Sequence, residues 1–202
     1  MNNKKVVVFG GGTGLSYLLK GLKDFPLDIT AVITVSDSGK STGKLREEFH
    51  VPAVGDIRHV ISSLSSTSPE INEMLEYRFN TTNYLDGHAL GNFMLISLLD
   101  ITGSLKNSIE QLSILLDIKN KVLPLTEDAD VTLMAEATDG SIIEGEASIT
   151  KSEKKVKKLF YKKQPKVLDE VKDAIKEADL IIFSMGSLYT SLLPHLISKE
   201  II

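Results

Sequence analysis

The run Lys5 to Phe9, KVVVF, followed at once by Gly10 to Gly14, GGGTG, constrains this chain more than any other stretch. A short, continuous, β-branched apolar run suits a strand buried on both faces, which is the habit of a parallel sheet. In the next segment, LSYLLKGL, Leu15, Leu18, Leu19 and Leu22 recur at helical spacing, and Gly21 stands near the helix end. Asp28 to Val35, DITAVITV, reads as a second strand. The opening is therefore β-α-β, with glycines at the first strand-to-helix turn.

Farther along, Gly55 to Leu64, Pro69 to Phe79 and His88 to Leu99 read as helices, the last apolar enough to be buried, and Ser104 to Ile118 as an amphipathic one. The segments KVLPL, VTLMAEATDG, SIIEGEASI and VKKLFY alternate and turn like an antiparallel sheet, with Asp139-Gly140 as a hairpin signal, so a β-rich insertion is expected at about 121–163. Val167 to Ala178 returns to helix, and Asp179 to Phe183, DLIIF, reads as another buried parallel strand running into SMGSLYTSLLP. The expected fold is α/β: a single domain, 1–202, with a Rossmann-like doubly wound parallel sheet and an inserted small antiparallel β subdomain.

A glycine-rich turn between a buried strand and a helix lets the backbone approach a phosphate, while free helical N–H groups and the helix dipole stabilise its charge. Gly10, Gly11, Gly12, Thr13, Gly14 and Leu15 have that setting. A full dinucleotide fingerprint is missing, because Leu15 and Tyr17 occupy the places of a third glycine, which disfavours a nicotinamide dehydrogenase. After the second strand, SDSGKSTG gathers Asp37, Ser38, Ser41 and Thr42 around Gly39 and Gly43, too polar for an element interior. Both loops project from the carboxyl ends of strands, where open α/β sheets bind ligands. Asp37 suits a ribose hydroxyl or, through water, a divalent cation; the alternative is a helix N-cap before Lys44 to Phe49.

Asp56 and Arg58 begin a helix, so Asp56 either caps it or faces the ligand, and Arg58 forks onto a phosphate or pairs with Asp56 or Glu48. His88 and Asn92 are expected at i and i+4 on one helix face, with no partner at metal-ligand spacing. Gly186, Ser187, Tyr189 and Thr190, after the last strand, offer a third wall of backbone amides and hydroxyls.

The chain has 202 residues, a net charge of -4 and no cysteine. That excludes a disulfide framework and thiolate chemistry and suits a reducing cytosol. No stretch is long enough for a membrane span, and the acidic balance gives no global attraction for nucleic acid. Lys151 to Lys163 does carry seven lysines against one acid, beside an acidic Glu127 to Glu146. A solvated strand that blunts a sheet edge is the reading favoured for it. Self-association into a homo-oligomer is allowed.

Read together, VVVFGGGTGLSYLLKGL, VSDSGKSTGKLREE, VPAVGDIRHVISSLS, GHALGNFMLISLL, KVLPLT, DGSIIEGEASI and MGSLYTSLLPHLI resemble, collinearly, the YvcK-like gluconeogenesis factors, a family similar in fold to the phospholactate transferase CofD. The resemblance implies a cytoplasmic Rossmann-like protein that binds UDP-sugars such as UDP-N-acetylglucosamine and acts in control of carbon metabolism, cell-wall synthesis and cell shape. Here SDSGKSTG stands where the family shows a loop like DDGGSSG, with Lys40 able to add a phosphate contact, and Ser184-Met185 replaces the start of GPGSLYTS. Family members also continue past this point, so the C-terminal part of the family domain is expected to be missing. No nucleophile-base pair is evident, which favours a regulator over its rival, a transferase in which Asp37 or Asp56 holds a magnesium ion.

Overall fold

The computed structural model describes residues 3–201, with Lys40 described by its backbone alone; the phosphate contact expected of that side chain lies outside the described residues. The chain runs β1 (Lys4–Gly10), α1 (Gly12–Leu22), β2 (Leu27–Ile33), α2 (Lys40–Phe49), α3 (Gly55–Leu64), α4 (Pro69–Glu76), α5 (Leu90–Thr102), α6 (Leu105–Leu115) and β3 (Lys121–Pro124). It continues through β4 (Leu133–Ala137), β5 (Ile142–Glu144), α7 (Glu146–Lys151), β6 (Val156–Tyr161), α8 (Asp169–Glu177) and β7 (Leu180–Phe183), then a π-helical turn, Leu188–Leu192, and α9 (Leu193–Leu196).

The main sheet has the order β3-β2-β1-β7, and every pair in it is parallel. Alternation along β1 divides the core between its two faces. Val6 and Val8 join Ile29, Ala31 and Ile33 of β2 beneath Leu15 and Leu19 of α1 and Ile57 and Ile61 of α3. Val7 and Phe9 join Val32 and Leu123 against Val171 of α8. A sheet apolar on both faces needs cover on both, and that makes the fold α/β and doubly wound as expected. The chain leaves β1 toward β2 on one side and returns to β7 on the other. The gap between the carboxyl ends of β1 and β7 is thus a topological switch point, where such sheets hold ligands.

The small antiparallel sheet has the order β5-β4-β6. Asp139-Gly140 turns the β4–β5 hairpin with Gly140 at φ +83°. The lysine-rich segment faces the acidic one across this sheet, in the pairs Lys154–Asp139, Lys157–Glu136 and Lys162–Glu144. These ends are solvated, so each pair contributes little to stability.

Five expectations need correction. KVLPL belongs to the parallel sheet as β3, at its edge beside β2: Val122 and Leu123 are both buried, one on each covered face. The EASI of SIIEGEASI is helical, α7, because Gly145 at φ +89° breaks the strand after Glu144. Helix α2 starts at Lys40, inside the loop read as too polar. Helix α5 starts at Leu90, so His88 precedes it and shares no helical face with Asn92. Strand β7 pairs with β1 but lies at the sheet edge, with Leu180 53%, Ile181 41% and Phe183 45% exposed, since no described element covers its outer side. Among the described residues no helix is long and apolar enough to cross a membrane.

Candidate functional site

Two adjoining cavities open at the carboxyl ends of β1, β2 and β7. The smaller, about 290 Å³, is lined by Gly11 to Gly14, Thr34, Asp37, Asp56, Glu146, Gly186, Thr190 and Ser191. The larger, about 480 Å³, is lined by Asp37, Gly39, Ser41, Thr42, Lys44, Asp56, Arg58, His59, Arg78, Asp86, His88 and Asn92, among others. Asp37 and Asp56 line both, so they stand where the two meet.

Three helices begin at these cavities with no side-chain cap from the N-cap residue, and apart from the Gly12 N–H, which Asp56 accepts, their first-turn amides are open: α1 after Gly11, α2 after Gly39 and α3 after Val54. Such amides must find an acceptor in water or in a ligand, and the dipole makes that acceptor preferably an anion. The glycines make this crowding possible. A Cβ at Gly14 would collide with the Met185 carbonyl, and one at Gly10 with the Ser184 hydroxyl, so the loops after β1 and β7 pack backbone to backbone. A Cβ at Gly55 would stand 2.6 Å from the Thr42 hydroxyl and 3.2 Å from Asp37 Oδ2, and its absence lets the loop after β2 close on α3. Gly12 has φ +57°, a conformation that glycine adopts without strain.

Asp56 lies over the glycine turn: its carboxylate oxygens are 2.8 and 3.1 Å from where Cβ atoms of Gly11 and Gly12 would stand, and it accepts the Gly12 N–H. Desolvation, reinforced by the charges of Asp37 and Glu146, pushes this carboxyl up to about 7. The Gly12 amide and Arg58 pull the other way. Asp37 accepts the N–H of Gly39 (2.8 Å) in a local turn and caps no helix, because Gly39 holds the N-cap position. Arg46 donates to the carbonyls of Asp37 (3.1 Å), Ala129 (3.0 Å) and Val131 (2.9 Å), which fastens the loop after β2 to the segment before β4.

Arg58 is 1% exposed, and its donors are directed at protein. It bonds Asn92 Oδ1 (3.0 Å) and His59 Nε2 (2.8 Å) and forms an ion pair with Glu76 of α4. Hydrogen bonding from His59 and the Arg58 charge hold Glu76 below the usual carboxylate range against the opposing effect of desolvation. A Cβ at Gly91 would stand 2.9 Å from the Arg58 stem, so Gly91 lets the arginine pass α5. The acid paired with Arg58 is thus Glu76, rather than Asp56 or Glu48, and the group ties α3, α4 and α5 together.

A family model described as "2-phospho-L-lactate transferase CofD" matches residues 6–202. Proteins called "Gluconeogenesis factor" from Halalkalibacterium halodurans and Bacillus subtilis are each 46% identical over 198 residues, 98% of this chain. The chain belongs to the CofD family. It spans 61% and 62% of the length of those two relatives. A crystal structure of a UPF0052-family protein from Bacillus halodurans superposes with a TM-score of 0.96 at 44% identity, covering the whole of this chain and 64% of that one.

Of the residues expected at the site of this CofD-family chain, Gly11, Gly12, Thr13, Gly14, Gly186 and Thr190 line the smaller cavity. Ser41, Thr42, Arg58 and Asn92 line the larger, and Asp37 and Asp56 line both. The others sit elsewhere. Gly10 packs on Ser184 and its carbonyl accepts from His195 Nε2 (3.1 Å), while Leu15 is fully buried core. The Ser38 hydroxyl accepts from the Ala147 N–H of α7 (3.0 Å), Ser187 caps the π-helical turn by accepting from Thr190, and Tyr189 is among the exposed apolar side chains. Sequence reasoning missed Glu146, Lys44, Arg78 and His88 as lining residues. For His88 the signal was present, a histidine four residues before Asn92, but it was read on a helix that starts later. His195, buried and pushed down to about 4, stays neutral and holds the glycine turn from behind.

Proposed function

We propose that this chain binds a phosphate-bearing nucleotide, a UDP-sugar of the UDP-N-acetylglucosamine kind, and serves as a cytoplasmic regulator of carbon metabolism, cell-wall synthesis and cell shape without turning its ligand over. One observation carries the phosphate part: the uncapped starts of α1, α2 and α3 line two joined cavities at the sheet's switch point. In this reading the amides of Gly12 to Gly14 and the loop at Gly186 take the diphosphate, while Asp37, Asp56 and Asn92 orient ribose, base or sugar. The UDP-sugar and the regulatory role come from the resemblance to gluconeogenesis factors. A nucleic-acid partner is not expected, because the net charge is -4 and Lys154, Lys157 and Lys162 of the lysine-rich stripe pair with acids of its own sheet. A membrane partner is not expected either.

A second reading, a magnesium-dependent transferase, draws on the carboxylates. Among the described residues no group of three or more acids or histidines is placed to hold a metal ion. Magnesium, however, usually takes one or two carboxylates plus substrate phosphates, and Asp37 and Asp56 at the junction fit that donor set. Bound there, the ion would neutralise phosphoanhydride charge; the chain's own amides would still orient the phosphates. A melting-temperature screen of UDP-sugars, nicotinamide and flavin nucleotides, with and without magnesium, tests the proposal. A true ligand at a hundred times its dissociation constant adds ~2.7 kcal/mol. No shift with any UDP-sugar sinks the proposal, and product formation in the same mixtures moves the chain to the transferase reading.

A further inference from the structure

The larger cavity carries cationic groups that the nucleotide reading does not use. Lys44 has no acidic partner among the described residues, and Arg78 donates one bond, to the Gly87 carbonyl (2.7 Å), with no carboxylate beside it. His88 is fully buried, stacked on Tyr84 with ring centroids 5.3 Å apart, and its Nε2 has no hydrogen-bond partner. The tautomer in which the Ser41 hydroxyl donates to Nδ1 (3.0 Å) puts the proton on Nε2 and leaves it as a donor. An unpaired polar atom at zero exposure is costly, so a partner is expected for it.

These groups crowd one another. The charges of Lys44 and Arg78 add to desolvation in holding the His88 imidazole below its usual range, which keeps it neutral near pH 7. Arg78 also opposes the charge of Arg58. Asp86 lines the cavity too, but its Oδ1 accepts the Thr81 N–H. Asp37 and Asp56 stand at the junction with the glycine loop. One compartment thus has acids alone as its charged side chains, whereas its neighbour adds Lys44 and Arg78 to the acids.

The geometry points to a second anion site in the larger cavity, in which Arg78, Lys44 and His88 Nε2–H hold a carboxylate or phosphate group distinct from the phosphates at the glycine loop. This inference rests on the nucleotide reading only for the occupant of the neighbouring compartment. The chemistry has two sources: an acidic group on the sugar of the nucleotide ligand, or a separate small anion bound beside it.

Calorimetric titration distinguishes them with UDP-glucose, UDP-glucuronate, which adds a sugar carboxylate, and inorganic phosphate added to protein saturated with UDP-glucose. If the ligand carries the anion, UDP-glucuronate binds at least about tenfold more tightly than UDP-glucose, the value of one charge-assisted hydrogen bond. That advantage then disappears in both Arg78→Gln and Lys44→Gln. If the anion is separate, the two nucleotides bind alike and phosphate binds to the loaded protein, with affinity falling by a similar factor in both variants. Two results overturn the inference: neither preference nor phosphate binding in the native chain, or either of them unchanged in both variants. Should no nucleotide bind, the preceding proposal fails while phosphate binding to the free protein, sensitive to Arg78→Gln, still upholds this site. Phosphate binding lost in Gly12→Val but kept in Arg78→Gln assigns the anion to the glycine turn and overturns the inference.

Discussion

The two cavities are walled by the same kind of element, the open start of a helix, yet only one of them carries cationic side chains. At the glycine turn the charged neighbours are Asp37, Asp56 and Glu146; in the adjoining space the same Asp37 and Asp56, with Asp86, stand beside Lys44, Arg58, Arg78, His59 and His88. Backbone amides alone favour an anion in either place. The difference teaches that amides and side chains set separate preferences. An anion at the glycine turn needs its acidic neighbours protonated or offset by a cation, whereas the adjoining cavity has its countercharge built in.

The largest effect is expected where backbone geometry decides. Gly12→Val places a β-branched residue at φ +57° with its Cβ against the Asp56 carboxylate. The left-handed conformation costs roughly 1–2 kcal/mol, which a domain of this size survives. Backbone approach to a phosphate does not survive it. The variant is expected to stay folded by circular dichroism and to lose UDP-sugar binding altogether; native affinity in a folded Gly12→Val would erase the distinction between the two compartments.

Next is Arg58→Ala, which leaves half-buried Glu76 with His59 as its remaining partner. Breaking a fully buried pair from one side costs ~3–5 kcal/mol, an upper bound here. The loss should register as stability in denaturant titration, with little change in ligand affinity per folded molecule, because the guanidinium is bonded to Glu76, Asn92 and His59. A stable variant with weakened binding would return Arg58 to the ligand.

Local pattern was enough for some of this fold and inadequate for the rest. The β1–glycine–α1–β2 opening was legible because each element buries residues of its own period, and α3 begins at Gly55 as expected. KVLPL was assigned to the wrong sheet because a short apolar run fits either kind of strand, and only its pairing with β2 decides. In SIIEGEASI, alternation outweighed the break at Gly145. The glycine turn and Asp37 were legible as site residues from their place after buried strands. The acid that pairs with Arg58 was not legible, because Glu76 comes from another helix 18 residues away. Lys44 and Arg78 escaped notice for the same reason: an exposed cation carries meaning only once folding brings others beside it.

The effect that sharpens the comparison most concerns Asp56. Its folded value, about 7, lies above its ordinary 3.8. Between about pH 4 and 7 the folded chain therefore retains a proton that the unfolded chain has released. With fewer protons bound in the unfolded state, stability falls as pH rises through that window, by up to ~1.4 kcal/mol per unit, and the loss is complete above 7. Asp56→Asn keeps the shape and removes the titration, so its melting temperature should exceed the native one increasingly from pH 5 to 8. Binding follows the same charge. Without magnesium, UDP-sugar affinity in the native chain should fall across pH 6 to 8, as Asp56 becomes an anion beside the phosphates. With magnesium that fall should flatten, and in Asp56→Asn it should be absent in both conditions. Parallel melting curves for the two proteins would show that Asp56 ionises normally, and the contrast between the acidic compartment and its cation-bearing neighbour would then rest on Glu146 on one side and on Lys44 and Arg78 on the other.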